Sequence, residues 1–144
     1  MRSIPIDQLS VGDAVETRKT ISETDVYLFA GISGDFNPLH VDEEYAKTTP
    51  FGARVAHGPL TLALCAGPLG TELPGLGTVA VSNRIDYLAP VFFGDTISVR
   101  VEVAALDPER NRATMAIAWR NQRGEDVATG EMVVKPPREP VELG

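Results

Sequence analysis

The spacing of apolar residues changes at Thr78, and this change limits the fold more than any other feature of the sequence. Beyond Thr78, apolar and polar residues alternate, which indicates strands that bury one face. The alternating apolar positions include Ile97, Val99, Val101 and Val103, followed by Met115, Ile117 and Trp119. Turn-forming sequences lie at residues 94–95, 107–109 and 123–125. We expect four successive antiparallel strands arranged as a meander, because links this short permit no other pairing.

One segment before this change has almost no polar face. It runs from Leu60 to Leu69 and follows Pro59, which suits the first turn of a helix because its missing N–H would have no partner there. A single apolar helix and a long sheet must bury each other. The sequence therefore predicts an α+β fold in which a long antiparallel sheet wraps around a central apolar helix.

The amino-terminal part carries signals for shorter elements. Residues 14–21 show a modest strand pattern, and Ser22 with Asp25 forms a shortened capping-box pattern ahead of a helix of about three turns. Residues 33–40 are rich in turn formers and are predicted to form a loop. Asp42 is predicted to cap a second, short helix that ends at Thr48.

Length and charge limit the organisation of the chain and its partners. The 144 residues suit one domain, 1–144, and three prolines predict a surface extension over about 136–144. The formal charge of -7 argues against a nucleic-acid partner, but a few basic residues around a cleft could still bind a small anion. The absence of a bilayer-length apolar segment, of a secretory signal and of any cysteine besides Cys65 predicts a cytoplasmic protein without membrane association.

The predicted loop carries the residues with the clearest chemistry, which are Asp35, Asn37 and His40. A carboxylate and an imidazole side by side can share one water, with one group taking a proton and the other giving one. Taken alone, these residues are more often turn formers and a surface histidine. The segment His57-Gly58-Pro59 changes that balance, because the start of a buried helix presents free N–H groups that could stabilise an oxyanion.

Two motifs together resemble a known family. They are Gly34-Asp35-Phe36-Asn37-Pro38-Leu39-His40-Val41-Asp42 and Ala56-His57-Gly58, followed by Asp86-Tyr87-Leu88-Ala89-Pro90-Val91 and Gly94-Asp95-Thr96-Ile97. This combination is similar to the MaoC-like, (R)-specific enoyl-CoA hydratases, and the resemblance covers most of the chain. It implies the hot-dog fold, which agrees with the order of elements expected from the residues themselves.

The resemblance also implies a reaction and a set of roles. Asp35 and His40 would form the acid/base pair, the Gly58 N–H would bind the oxyanion, and Asn37 would orient the loop or the water. The substrate would be a 2-enoyl-CoA or acyl-carrier thioester, the product the (R)-3-hydroxyacyl thioester, and no cofactor is implied. The family places the acyl site between subunits, so a homodimer or a dimer of dimers is expected. Relatives often carry a serine near Ala66, and this departure bears on the acyl pocket.

Several other residues are weaker candidates. The acyl pocket is expected to involve Phe36, Leu62, Ala66 and Leu69, while Arg54, Arg84 and Lys47 are candidates for contacting the coenzyme A phosphates. His57 is as suited to a structural hydrogen bond as to ligand contact. A metal held by Asp35, His40 and Asp42 is not favoured, because the spacing matches no standard ligand pattern and hydration of an activated alkene needs none. Cys65 is expected to be a buried small hydrophobe.

Two alternative functions remain open from the sequence. A hot-dog thioesterase would hydrolyse the thioester itself and release free thiol from a saturated acyl-CoA. A non-catalytic acyl-thioester-binding subunit would bind acyl-CoA without turnover. The presence of both Asp35 and His40 argues against the second alternative, because a binding protein has no need of the pair.

Overall fold

The computed structural model describes residues 1–143. The strands are β1 (Ala14–Thr20), β2 (Val79–Tyr87), β3 (Thr96–Asp107), β4 (Arg112–Arg120) and β5 (Asp126–Lys135). The helices are α1 (Glu23–Ser33), α2 (Pro38–Val41), α3 (Glu43–Lys47), α4 (Gly58–Ala63) and α5 (Ala66–Thr71), preceded by a 3-10 turn at Ile6–Gln8. The helices from α1 to α5 all lie between β1 and β2 in the chain, so the functional loop and the apolar segment form one insertion into the sheet.

The strands form one antiparallel sheet in the order β1-β3-β4-β5-β2. The meander is confirmed for β3, β4 and β5, but the expectation that β2 lies beside β3 is wrong, since β2 pairs with β5 and β1 pairs with β3. The link from β2 to β3 crosses the sheet: the Leu88 N–H donates to the Val127 carbonyl of β5, and the Gly94 N–H donates to the Ile21 carbonyl beside β1. A link that spans the sheet in this way sets the strand order by tertiary packing.

The predicted alternation is confirmed in the strands that form the core. The apolar side chains of β3 that were expected to point inward are at most 1% exposed. They are Ile97, Val99, Val101 and Val103, and the matching residues of β4 are Ala113, Met115, Ile117 and Trp119. Burial of this face against the helical insertion gives the hot-dog arrangement expected from the sequence.

The apolar segment differs from its prediction. The expected continuous helix from Leu60 to Leu69 is broken into α4 and α5 at Leu64 and Cys65, whose N–H groups bond to carbonyls three residues earlier. Pro68 explains the break, because it has no N–H for the Leu64 carbonyl and its ring crowds that carbonyl. The segment is also only partly buried, since Ala63 and Ala66 are exposed.

The predicted helix caps are confirmed. The Ser22 side chain accepts from the Asp25 N–H at 3.1 Å, and the Asp25 carboxylate accepts from the Ser22 N–H at 2.8 Å, which completes a capping box for α1. Asp42 caps α3 by accepting from the Tyr45 N–H at 3.0 Å. These contacts fix both ends of the segment that carries the functional loop.

The end of the chain is only partly a surface extension. Pro136 and Pro137 are buried, and the Pro136 carbonyl accepts from the Asn111 side chain at 2.9 Å, whereas residues 138–143 are exposed. Within residues 1–143, the structure contains no helix with the length and apolar character that crossing a membrane requires.

Candidate active site

The loop between α1 and α2 is shaped by short-range hydrogen bonds. α1 ends at Gly34, whose φ of 77° lies in the left-handed region that glycine adopts without strain. The Asn37 N–H donates to Asp35 Oδ1 at 3.1 Å, and Asn37 Oδ1 accepts from the Leu39 N–H at 3.0 Å. Asn37 is therefore the N-cap of α2, which carries His40. This contact fits the orienting role expected for Asn37 in the loop.

The structure brings Asp35 and His40 together. Asp35 Oδ2 lies 3.8 Å from His40 Nε2, and the two side chains are 52% and 10% exposed. The opposite ring atom, His40 Nδ1, lies 2.7 Å from the Val55 carbonyl oxygen. Because a carbonyl only accepts, Nδ1 carries a proton and donates it, which turns Nε2 towards the carboxylate. One oxygen of Asp35 and one nitrogen of His40 are thus held by the main chain, and the other two atoms face each other.

His57 lies against both residues. Its ring stacks on the His40 ring with centroids 3.8 Å apart and an angle of 29° between the planes. The centroid of the Phe29 ring lies 5.0 Å from that of His57. His57 Nε2 lies 2.9 Å from the Asp35 carbonyl oxygen. Among the two roles considered for His57, the structural hydrogen bond is the one present, since the residue is only 1% exposed.

Gly58 follows His57 and begins α4. Its N–H donates to no acceptor among residues 1–143. A cavity of about 310 Å³ lies beside it, lined by Gly58, Thr61, Tyr87 and residues of the 88–91 segment among others. The ring of Tyr87 approaches so closely that an added Cβ at residue 58 would lie 3.0 Å from it. The space at residue 58 therefore favours glycine, and within the described residues the Gly58 N–H has no protein acceptor beside the cavity that Gly58 lines.

The candidate acyl-contact residues fall in different places. Leu62, Ala66 and Leu69 line a second, mainly apolar cavity of about 230 Å³, together with Cys65 and residues of β2 and β5. Phe36 is 60% exposed and lines neither cavity. Asp35 and His40 also line neither cavity. The Asp35 side chain is thus exposed at the surface of the chain, whereas the His40 ring is buried.

The basic residues considered for phosphate contact are already paired. Arg54 donates to Glu23 at 2.6 Å and to Glu43 at 2.7 Å, with its guanidinium over the Phe93 ring. It joins α1 and α3, and the two carboxylates together outweigh its single positive charge. Arg84 pairs with Asp86 at 3.2 Å, and Lys47 pairs with Glu44 at 2.6 Å. Phosphate contact by Arg84 or Lys47 stays a prediction, since both are well exposed.

The carboxylate and imidazole groups around Asp35 are better arranged for proton transfer than for binding a metal ion. Asp35, His40 and His57 offer ligand atoms within 4.8 Å of one another. However, His40 Nδ1 and His57 Nε2 already bond to main-chain carbonyls, and His57 Nδ1 is buried. Asp42, the third residue weighed from the sequence, instead caps α3.

Two parts of the site were missed by sequence reasoning. The Val55 carbonyl fixes His40, and no sequence pattern identifies a main-chain oxygen. The Tyr87 ring covers Gly58, and Tyr87 lies in a motif that contributed to the resemblance without receiving a role.

Comparison with known proteins agrees with this architecture. Residues 8–122 match the family described as MaoC like domain. A 3-hydroxybutyryl-CoA dehydratase of Methylorubrum extorquens is 45% identical over 96% of this chain and 87% of its own length. An (R)-specific enoyl-CoA hydratase of Rhodospirillum rubrum is 42% identical over 91% of this chain and 90% of its own length.

Solved structures give the same result. The unliganded R-hydratase PhaJ1 from Pseudomonas aeruginosa superposes with a TM-score of 0.92 at 41% identity, covering 99% of this chain and 93% of that one. The (R)-hydratase from A. caviae has a TM-score of 0.87 at 40% identity, covering 90% and 98% of the two chains. The matched residues, the identity over nearly the whole length and the shared fold show that this chain belongs to the MaoC-like domain family.

Proposed function

We propose that the protein is a hydratase/dehydratase that reversibly adds water to a 2-enoyl thioester and yields the (R)-3-hydroxyacyl thioester. The observation that carries this proposal is the 3.8 Å approach of Asp35 Oδ2 to His40 Nε2, with the remaining polar atom of each side chain held by the main chain. The names of the relatives at 40–45% identity support the same class of reaction.

One water molecule is the natural occupant between the two groups. At 3.8 Å the carboxylate oxygen and the ring nitrogen are too far apart for a direct hydrogen bond, but a water oxygen at ordinary distance from each can bridge them. Asp35 takes a proton from this water as the water oxygen bonds to C3 of the substrate. The electrons of the double bond move towards the thioester carbonyl, and His40, charged at the start, gives its Nε2 proton to C2.

The sum of these steps is the addition of one water. Afterwards Asp35 is protonated and His40 is neutral, and transfer of the proton from Asp35 to His40 restores the starting state. Because both groups act from the same side of the double bond, the addition is syn. Dehydration uses the same groups in reverse order.

The Gly58 N–H supplies the donor that the enolate requires. It has no acceptor within residues 1–143, and Gly58 lines a cavity large enough for part of an acyl thioester. A fixed donor aimed at the developing negative charge lowers the barrier, and the loss of one such donor typically costs about 3 kcal/mol. We propose coenzyme A or an acyl-carrier protein as the thiol component.

The test is the loss of enoyl-thioester absorbance on addition of short 2-enoyl-CoA substrates. Asp35→Asn and His40→Ala should each lower kcat by at least about a hundredfold, as expected for removal of an acid or base. The surface carboxylate Glu109, replaced in Glu109→Gln, serves as a matched control and should retain the wild-type rate. Wild-type kcat in either site variant would remove that residue from the mechanism.

The alternatives predict different products. A thioesterase would release free thiol from saturated acyl-CoA, which a thiol reagent detects directly. A binding subunit would bind acyl-CoA without turnover, and its affinity would be unchanged in Asp35→Asn.

We propose a homodimer, in which β2 of one subunit lies against a second copy. β2 is the edge strand beside β5, and Val79, Val81 and Tyr87 on it are 57%, 46% and 50% exposed. An open edge with exposed apolar residues is usually paired or covered. Sedimentation of the wild type and of Val81→Lys tests this proposal, since a charge on the edge should favour the monomer. We also propose a cytoplasmic location, which fits a buried free Cys65.

A further inference from the structure

We propose that His57 is a positioning residue that stays neutral during turnover and holds both members of the acid/base pair. This inference rests on the proposed function for its catalytic meaning. The sequence left His57 between ligand contact and structural hydrogen bonding. The contacts of its ring define a more specific role than either.

The first step concerns contact. The His57 ring lies between Phe29 and His40, with centroid distances of 5.0 Å and 3.8 Å, and is 1% exposed. Its Nε2 lies 2.9 Å from the Asp35 carbonyl oxygen. Through its own main chain it is joined to Gly58, the proposed oxyanion donor. One buried residue therefore contacts both the base and the acid through its side chain and is the chain neighbour of the proposed oxyanion donor.

The second step concerns the proton on His57. The Asp35 carbonyl can only accept, so Nε2 carries a proton and donates it. Nδ1 is buried and has no partner within the described residues. In the neutral ring this atom is an orphaned acceptor, whereas in the charged ring it would be an orphaned donor on a buried cation. The second state is the more costly of the two, so burial favours the neutral ring.

The third step concerns His40, which must be charged to donate its proton. Within residues 1–143, the titratable groups that lie against the His40 ring are the Asp35 carboxylate and the His57 imidazole. A neutral aromatic face stacked on a cation attracts it, while a second cation at this distance would repel it. A neutral His57 therefore supports the charged state of His40, and its N–H fixes the main chain of Asp35.

Two variants separate these contributions. His57→Phe keeps an aromatic face and loses the N–H, whereas His57→Gln keeps an N–H donor and loses the ring. Both should lower kcat by about 10- to 100-fold with KM changed by less than about threefold, because a small displacement of reacting groups costs rate more than binding. The alkaline limb of the pH–rate profile reports the loss of the proton from His40. In His57→Gln this limb should move to lower pH because the stacked ring is lost, while His57→Phe keeps a ring and should keep the wild-type limb.

A stability control excludes a merely structural effect. Val101→Ala removes buried side-chain volume from the core strand β3, away from the loop, and should lower the melting temperature while leaving kcat and the pH profile unchanged. If the His57 variants behave like Val101→Ala, with lower stability and unchanged kcat, the positioning role is refuted. An unmoved alkaline limb in His57→Gln would refute the support of charged His40.

Two-bond 1H–15N NMR spectra of the wild type provide a readout that does not depend on activity. We expect the spectra at the assay pH to show His57 as the neutral, Nε2-protonated form, because Nε2 donates to the Asp35 carbonyl. A doubly protonated or an Nδ1-protonated ring at that pH would overturn the inference. Absence of hydratase activity in the wild type would instead overturn the proposed function, and the spectra would still decide the state of His57.

Discussion

Replacing Gly58 by alanine tests whether the close approach of Tyr87 fixes the oxyanion donor. Gly58 is not among the residues with positive φ, so alanine can adopt its backbone conformation, and the N–H is retained. The added Cβ would lie 3.0 Å from Tyr87 Cζ, 3.1 Å from Cε1 and 3.3 Å from Cε2. Ordinary contacts begin near 3.4 Å, so residue 58 and the ring must separate by about 0.4 Å.

The atoms that the added Cβ meets are at the far end of the Tyr87 side chain, which absorbs part of this movement, so the loss of stability should be small, about 1 kcal/mol. The remaining shift falls on the N–H of residue 58. Since a misplacement of 1 Å can lower a rate about a hundredfold, we expect kcat of Gly58→Ala to fall about tenfold, or about 1.4 kcal/mol of barrier.

The assay is enoyl-CoA hydration by Gly58→Ala, by Tyr87→Ala and by the double variant. Removing the ring should recover most of the kcat lost on Gly58→Ala, so the two substitutions should be strongly non-additive. Gly67→Ala is a matched control, because the corresponding Cβ on α5 meets nothing within 4 Å. Additive losses in the double variant, or an undiminished rate in Gly58→Ala, would refute the steric reasoning.

Three further outcomes follow from local contacts. Asn37→Ala removes the cap on the Leu39 N–H and should cost about 1 kcal/mol in urea unfolding, whereas Asn37→Asp should keep most of it. Partial burial raises the pKa of Asp25, but hydrogen bonds from Ser22 and Lys19 outweigh this effect, so the pKa in the folded protein lies below 3.8. The contribution of Asp25 to the free energy of unfolding should therefore be fully present above pH 3.8 and should be lost as the pH falls through the folded pKa. Asp25→Asn should not show this loss. Burial raises the pKa of Cys65 to about 11, so a thiol reagent at neutral pH should label it only in denaturant, and rapid labelling of the native protein would contradict this.

Much of the fold was predictable because its signals are local. The Ser22 and Asp25 capping box, the Asp42 cap and the alternation in β3 involve residues within a few positions of one another. The break at Leu64 was also encoded locally, in Pro68, but the apolar run concealed it. The place of β2 in the sheet was not predictable, because its partner β5 is distant in the chain and the link 88–95 crosses the sheet.

The candidate site, like the fold, was partly predictable from the sequence. The sequence by itself determined which groups are present on the loop and at the start of α4, since Asp35, His40 and Gly58 lie in recognisable motifs. Only the tertiary structure decided how these groups are held: His40 bonds to a carbonyl 15 residues away, and His57 to one 22 residues away. The physical reason is that proton transfer and stacking depend on distances of a few ångströms between segments far apart in the chain. Packing sets such distances, whereas residue spacing does not.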